Sequence, residues 1–160
     1  VSLCYIFKMA IPASVDDFAH TVIEVAKSNE IIDTVPTAEF LIRQGILTRY
    51  GTWIRVAVSV PSRWGDPVKE DFGFTPTVLV RFEYGKDTPT SAQGDDMVRV
   101  VSGLLERIDG DAILYLEDSE GVWLLRRNGD LSLKSDELVW DHTRLAMINL
   151  PYRREDFHFS

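Results

Sequence analysis

The stretch from Thr90 to Leu133, TSAQGDDMVRVVSGLLERIDGDAILYLEDSEGVWLLRRNGDLSL, constrains the fold more than any other part of the chain. Met97, Val98, Val101, Leu104, Leu105 and Ile108 recur at the spacing of one helical face. Thr90 followed by Gln93 has the letters of a capping box, and Asp95 and Asp96 are expected in the first turn, where the helix dipole favours acids. Gly110 is the expected stop. The period then changes to two without a linker: Ala112–Glu117 and Val122–Arg127 read as strands, and Asn128-Gly129 is the dipeptide of a type I′ turn into Leu131–Leu133. Val122–Leu125 is apolar on both faces, which predicts a central strand, covered on both sides or packed against the C-terminal segment. A helix passing straight into a three-strand meander predicts an α+β fold.

Upstream, Ser2–Met9 alternates, with Leu3, Tyr5, Phe7 and Met9 on one face, as a half-buried first strand does. Ser14 with Asp17 resembles a capping box for a helix through Phe18, Ala19, Val22 and Val25. Thr37 is expected to cap a short second helix that Gly45 ends. Trp53–Val60, with Ile54, Val56, Val58 and Val60 on one face, and Pro76–Tyr84, with Val78, Val80, Phe82 and Tyr84 on one face, read as strands of an antiparallel sheet with one wet side. Pro61–Thr75 between them reads as a loop with its own aromatic content, a length that tends to be functional or mobile. The tail from Leu145 to Phe159 is a candidate edge strand.

The 160 residues are one domain by size, large enough to bury a core without disulfides or a structural metal. The apolar runs are too short to span a bilayer, no signal pattern opens the chain, and the single Cys4 cannot form an internal disulfide. The cytoplasm is the default location, with the reservation that residue 1 is Val and a removed leader stays open. A net charge of -8 disfavours binding to nucleic acid. The acidity is uneven: residues 81–160 hold 10 Lys/Arg against 16 Asp/Glu.

No arrangement of residues announces a reaction. His20, His142 and His158 lack the spacing of a ligand pair, no GxSxG elbow organises a nucleophile, and no glycine run matches a phosphate-binding loop. No cofactor or metal is expected. Asp95, Asp96 and Arg99 are explained by helix-start acids and an i, i+4 pair between Asp95 and Arg99. The basic pairs Arg126-Arg127 and Arg153-Arg154 read as snorkelling or salt-bridging residues. Trp64 with Asp66, Glu70 and Asp71 has the composition of a protein-binding hot spot facing a basic partner; a Trp64 that pins the loop to the core fits the same letters. Glu117, Asp118 and Glu120 form a second candidate rim at the first meander turn, where solvation alone also explains them.

Read in order, YGTWIRV (Tyr50–Val56), FGFTPTVLVRF (Phe72–Phe82), DDMVRVVSGLLERIDGDA (Asp95–Ala112), VWLLRR (Val122–Arg127) and PYRR (Pro151–Arg154) resemble the immunity proteins of bacterial swarming-inhibition toxins. The similarity covers the chain from residue 50 onward and, more weakly, the first strand and helix. It implies a cytoplasmic protein, not an enzyme, that binds and blocks one cognate toxin domain, and it carries over no catalytic residue. The expected fold is α+β, an antiparallel sheet of about six strands with helices mainly on one face and the three-strand meander toward the C-terminus. The expected partner surface is Trp64, Asp66, Glu70, Asp71, Glu117, Asp118 and Glu120. The residues themselves leave two alternatives open: a small enzyme with a carboxylate pocket, or a ligand-binding module with an apolar cavity.

Overall fold

The first strand lies in the middle of the sheet, with a neighbour on each side. The computed structural model describes residues 3–160; Ser2, where the expected strand begins, lies outside them. Strand β1 (Cys4–Ala10) is followed by helices α1 (Val15–Ser28) and α2 (Ala38–Arg43), strands β2 (Ile46–Leu47) and β3 (Trp53–Val58), helix α3 (Pro67–Phe72) and strand β4 (Val78–Glu83). The long helix α4 (Thr90–Arg107) leads into β5 (Asp111–Leu116), β6 (Val122–Arg127) and β7 (Asp130–Leu133), and α5 (His142–Leu145) and β8 (Arg153–Arg154) complete the order. The eight strands form one sheet in the order β2-β3-β4-β1-β5-β6-β7-β8, antiparallel except for the β7–β8 pair. Beyond the six periodic strands stand two dipeptides, too short to show a period of two: β2, which was not expected, and β8 in the tail given above as a candidate edge strand.

The main core lies on one face. Tyr5, Phe7 and Met9 of β1, Val80 and Phe82 of β4, and Leu114 of β5 meet Phe18 and Val22 of α1 and Met97, Val101 and Leu104 of α4. The α1–α4 crossing is close because Gly103 has no side chain; a Cβ there would lie 2.5 Å from Val25 Cγ1. Ser14 and Thr37 cap α1 and α2 as expected, accepting from Asp17 N and Phe40 N at 3.1 Å each. The Asn128-Gly129 turn has φ of 52° and 80°, the two left-handed residues that a type I′ hairpin requires. The tail supplies the edge strand β8.

Several expectations are corrected. β1 is not half-buried, since Cys4 and Ile6 on its second face are also covered. Helix α4 has no capping box: its N-cap is Pro89 and no side chain caps it. Gln93 is instead fully buried. Its amide accepts from Thr52 Oγ1 and Gly85 N at 2.8 Å and donates to Gly85 O at 2.9 Å and Thr88 O at 3.0 Å. Asp95 and Asp96 consequently lie beyond the first turn, and neither forms the expected Asp95–Arg99 pair. Asp96 holds Arg49 at 2.8 Å and Arg99 at 2.7 Å, while Asp95 holds the buried Arg144 at 2.8 Å. The helix ends at Arg107, before Gly110, and the buried Arg126 donates to the carbonyls of Leu105, Ile108 and Gly110. A cation at a helix C-terminus satisfies orphan carbonyls and complements the dipole, which is a sharper role than snorkelling.

Candidate functional site

The sheet face opposite α1 and α4 brings the two acidic segments into one region. Residues 67–72, expected as loop, form helix α3, and the letters that make it are Asp66, Pro67 and Gly73. Asp66 accepts from Val68 N at 3.2 Å and Lys69 N at 3.3 Å, Pro67 occupies the first helical position without needing a donor, and Gly73 leaves with φ of 82°. Val68 and Phe72 then bury against Ile113, Val122 and Leu125 on this face.

The C-terminal tail crosses the same face and joins the segments. Phe159 packs edge-on against Phe72 at 5.2 Å and Tyr115 at 5.0 Å between ring centroids. Its N–H donates to Glu120 O at 2.8 Å, and Val122 N donates to Phe157 O at 3.1 Å, which fixes the tail beside the β5–β6 turn. Asp71 closes the link, accepting from Ser160 N at 3.0 Å and Ser160 Oγ at 2.7 Å; these bonds hold its carboxyl below the usual carboxylate range. Glu117 is paired with Arg81 at 3.0 Å. Lys8 lies within the fields of both Asp66 and Glu117, which oppose the lowering of its pKa by burial. Burial, and then Glu117, push the Tyr115 hydroxyl up to about 12. Burial likewise raises the Cys4 thiol, against the neighbouring Arg81, so Cys4 is no ready nucleophile.

The seven expected partner residues therefore differ in kind. Asp66 caps a helix, Asp71 tethers the tail and Glu117 is ion-paired, so all three hold structure. Glu70, Asp118 and Glu120 form no ion pair among the described residues; the Glu70 carboxylate folds over Gly65, and Asp118 holds the turn with φ of 63°. Trp64 does not pin the loop. It is 83% exposed, and Val58 and Val60, expected in the core, are 54% and 75% exposed because β3 ends at Val58. Pro61, which lacks a ladder donor, was the available signal that the alternation would not continue as buried strand. The Trp64 turn is nonetheless firm. Ser62 Oγ accepts from Trp64 N and donates to Gly65 O, both at 3.2 Å, Gly65 N donates to Ser62 O at 3.1 Å, and the Arg63 guanidinium lies 4.8 Å over the indole.

A family model described as SitI3-like matches residues 3–144, most of the chain. The chain belongs to the SitI3-like family. The family name points to the immunity proteins of toxin systems, in keeping with the resemblance read from the segments between Tyr50 and Arg127; the last segment of that resemblance, Pro151–Arg154, lies outside the match. In this SitI3-like chain the match spans both acidic segments and the Trp64 turn, and it stops before the tail that binds α3. Neither a curated protein nor a solved structure matches. No helix among the described residues is long and apolar enough to cross a membrane, and no group of three or more His, Cys, Asp or Glu among them is placed to hold a metal ion.

A groove of about 820 Å³ lies elsewhere, between α2 and β2, and none of the seven candidate residues lines it. The carboxylates with displaced pKa values are Asp71 and Asp156, both at the surface and both lowered by bonds from serines. A general acid needs the opposite shift, in a pocket. Groove and shifted carboxylates are not combined in one site.

Proposed function

We propose that this SitI3-like protein is a cytoplasmic immunity protein that binds one cognate toxin domain stoichiometrically and occludes it, protecting the producing cell from toxin delivered by its kin. Family membership over residues 3–144 is the observation that carries the reading. The protein acts by binding, not by turnover. The contact centres on Trp64, carried on a turn that is held in shape before any partner arrives, which lowers the ordering cost of association, with the exposed Val58 and Val60 adding apolar surface from the preceding residues. Glu70, Asp118 and Glu120 supply an acidic rim for a basic toxin surface and speed its approach. Asp66, Asp71 and Glu117 serve the contact indirectly, by fixing α3, the tail and the β5–β6 turn.

The test is a calorimetric titration against the C-terminal toxin domain encoded by the gene immediately upstream, together with growth of cells expressing that domain with and without this protein. Tight 1:1 binding with rescued growth is the expected result. Absence of both binding and rescue overturns the proposal and leaves the family assignment as a statement about descent and fold.

A further inference from the structure

We propose that the cleft where the N-terminus of α4 meets one end of the sheet binds a small organic monocarboxylate. The cleft holds about 220 Å³, the share of roughly seven waters, which admits a carboxylate on a short apolar or single-ring body. Tyr5 of β1, Tyr84 just after β4 and Trp123 of β6 line it from the sheet, Thr90 and Ser91 from α4, and Arg144 from α5. None of the seven candidate partner residues lines it, and the site stands or falls independently of the toxin reading.

Every polar side chain that lines the cleft can donate, and no acid lines it, in a chain of net charge -8. Tyr5 is the deciding group. It is only 7% exposed, and its ring is fixed by Tyr84 at 4.9 Å and Trp123 at 4.6 Å between centroids. Its hydroxyl makes no hydrogen bond among the described residues, yet it is not sealed from solvent, so it opens to the cleft that Tyr5 lines. The end of α4 is equally unclaimed. Pro89 is its N-cap and no side chain caps it, which leaves the N–H groups of Thr90 and Ser91 free at the positive end of an 18-residue helix. Arg144 is likewise 7% exposed, and its Nε bonds Asp95 at 2.8 Å while Nη1 and Nη2 bond the carbonyls of Val139 at 2.8 Å and Ser91 at 3.3 Å. One N–H on each Nη remains. Gly94 gives the guanidinium its seat, since a Cβ there would collide with Nη2 and lie 3.2 Å from the Tyr84 hydroxyl. Burial raises the pKa of Tyr5 and of Tyr84 while Arg144 opposes it, so both hydroxyls stay protonated within the field of the guanidinium.

These groups select the ligand's charge and shape. A cation has no place here, because Arg144 already lies 5.8 Å over the Trp123 ring and no carboxylate faces the cleft. The positive charge on offer is modest: Asp95 answers Arg144 from outside the lining, and the helix end is worth about half an elementary charge. That suits a monoanion and not a doubly charged phosphate. Trp123 and the 90% exposed Leu138 at the lip supply the surface for an apolar body beside the donors.

The test titrates the full chain with benzoate and follows its amide proton–nitrogen correlation spectrum, with benzamide and inorganic phosphate as comparisons. Benzoate should shift the Thr90 and Ser91 amides and saturate with Kd about 1 mM, so that about 10 mM fills nine-tenths of the sites. Benzamide and phosphate at the same concentration should leave both amides nearly in place. Tyr5→Phe removes only the hydroxyl and should weaken benzoate about tenfold. Ser91→Glu places a carboxylate at the helix start, which favours the helix, so benzoate binding should vanish while Tm holds or rises; this separates loss of the site from loss of the fold. Absence of a saturating shift overturns the proposal, as does benzoate binding indifferent to both variants, or benzamide or phosphate binding as tightly as benzoate. Benzoate that fails where the toxin domain shifts the same two amides also overturns it, and gives the cleft to a toxin side chain.

Discussion

Replacing Gln93 with Leu separates two roles that the same letters permit. In a capping box, Gln93 would sit at an exposed helix start, and either Gln93→Leu or Thr90→Ala would cost about 1 kcal/mol. In this structure Gln93 is fully buried and its amide makes four bonds. Leucine keeps the bulk and removes the bonds. Gly85 N–H and the Thr52 hydroxyl, itself buried, then lose their acceptor, and the carbonyls of Gly85 and Thr88 lose a donor. An orphaned buried polar group costs about 1–3 kcal/mol, with donors less tolerant than carbonyls, so the two donors set a loss of about 4 kcal/mol. With a urea m-value near ~2 kcal/mol/M, the unfolding midpoint should fall by about 2 M at unchanged m. Thr90 caps nothing here, and Thr90→Ala should stay within about 0.5 kcal/mol of wild type. Equal losses of about 1 kcal/mol from both variants would refute the buried-hub account and restore the capping box.

Trp64→Ala should weaken toxin association by about 2 kcal/mol or more, near thirtyfold, with thermal stability unchanged; calorimetry and a melting curve on the same sample check both halves. Glu70→Lys should slow association and flatten its salt dependence, read by stopped-flow at two ionic strengths. Asp66→Ala should cost about 1 kcal/mol of stability through the lost cap of α3, lowering Tm by about 2–4 °C, so that any effect on binding arrives together with a folding effect. The tail should detach in acid before the chain unfolds. The folded-state pKa values of Asp71 and Asp156 are depressed by their serine partners, so these tethers are complete above the ordinary carboxylate pKa and are lost as pH falls through the depressed values. Phe157 and Phe159 resonances that do not move between neutral pH and the onset of unfolding would contradict this.

Where sequence patterns reported local physics they were reliable, and where a residue's role depended on a distant partner they were not. The Ser14 and Thr37 caps and the Asn128-Gly129 hairpin depend on neighbours a few residues away and are legible; the two-sided burial of β6 is legible from the apolar letters on both its faces, although distant elements, α4 on one side and α3 with the tail on the other, cover it. The role of Gln93 is hidden in the sequence because its partners Thr52 and Gly85 come from other segments of the chain, while its letters also suit a local motif. Helix α3 carried its cap and stop in plain view, but six residues are too few for apolar periodicity to stand out. The alternation in β1 predicts a half-buried strand although Cys4 and Ile6 are apolar, because the burial of its second face depends on the rest of the fold.

The same division explains why the acidic residues needed coordinates to sort. An acid that caps a helix, tethers a tail or pairs with an arginine contributes the same letter and the same net charge as one held out to solvent. Asp66, Asp71 and Glu117 are committed to folding, and reversing their charge alters the scaffold before it alters any contact. Glu70 and Glu120 can change sign at little structural cost, the side chains of Trp64, Val58 and Val60 can change as freely, and Asp118 can give way to a residue that accepts its left-handed φ of 63°, such as Asn or Gly. A protein that must keep one fold while matching changing partners needs its variable residues at positions of the second kind. Under the immunity proposal, sequence differences between SitI3-like chains with different partners should therefore concentrate at Val58, Val60, Trp64, Glu70, Asp118 and Glu120 and spare Asp66, Asp71 and Glu117. Exchanging the six free positions between two such chains should exchange their toxin preference; an exchange that leaves preference with the scaffold would place the contact on another face.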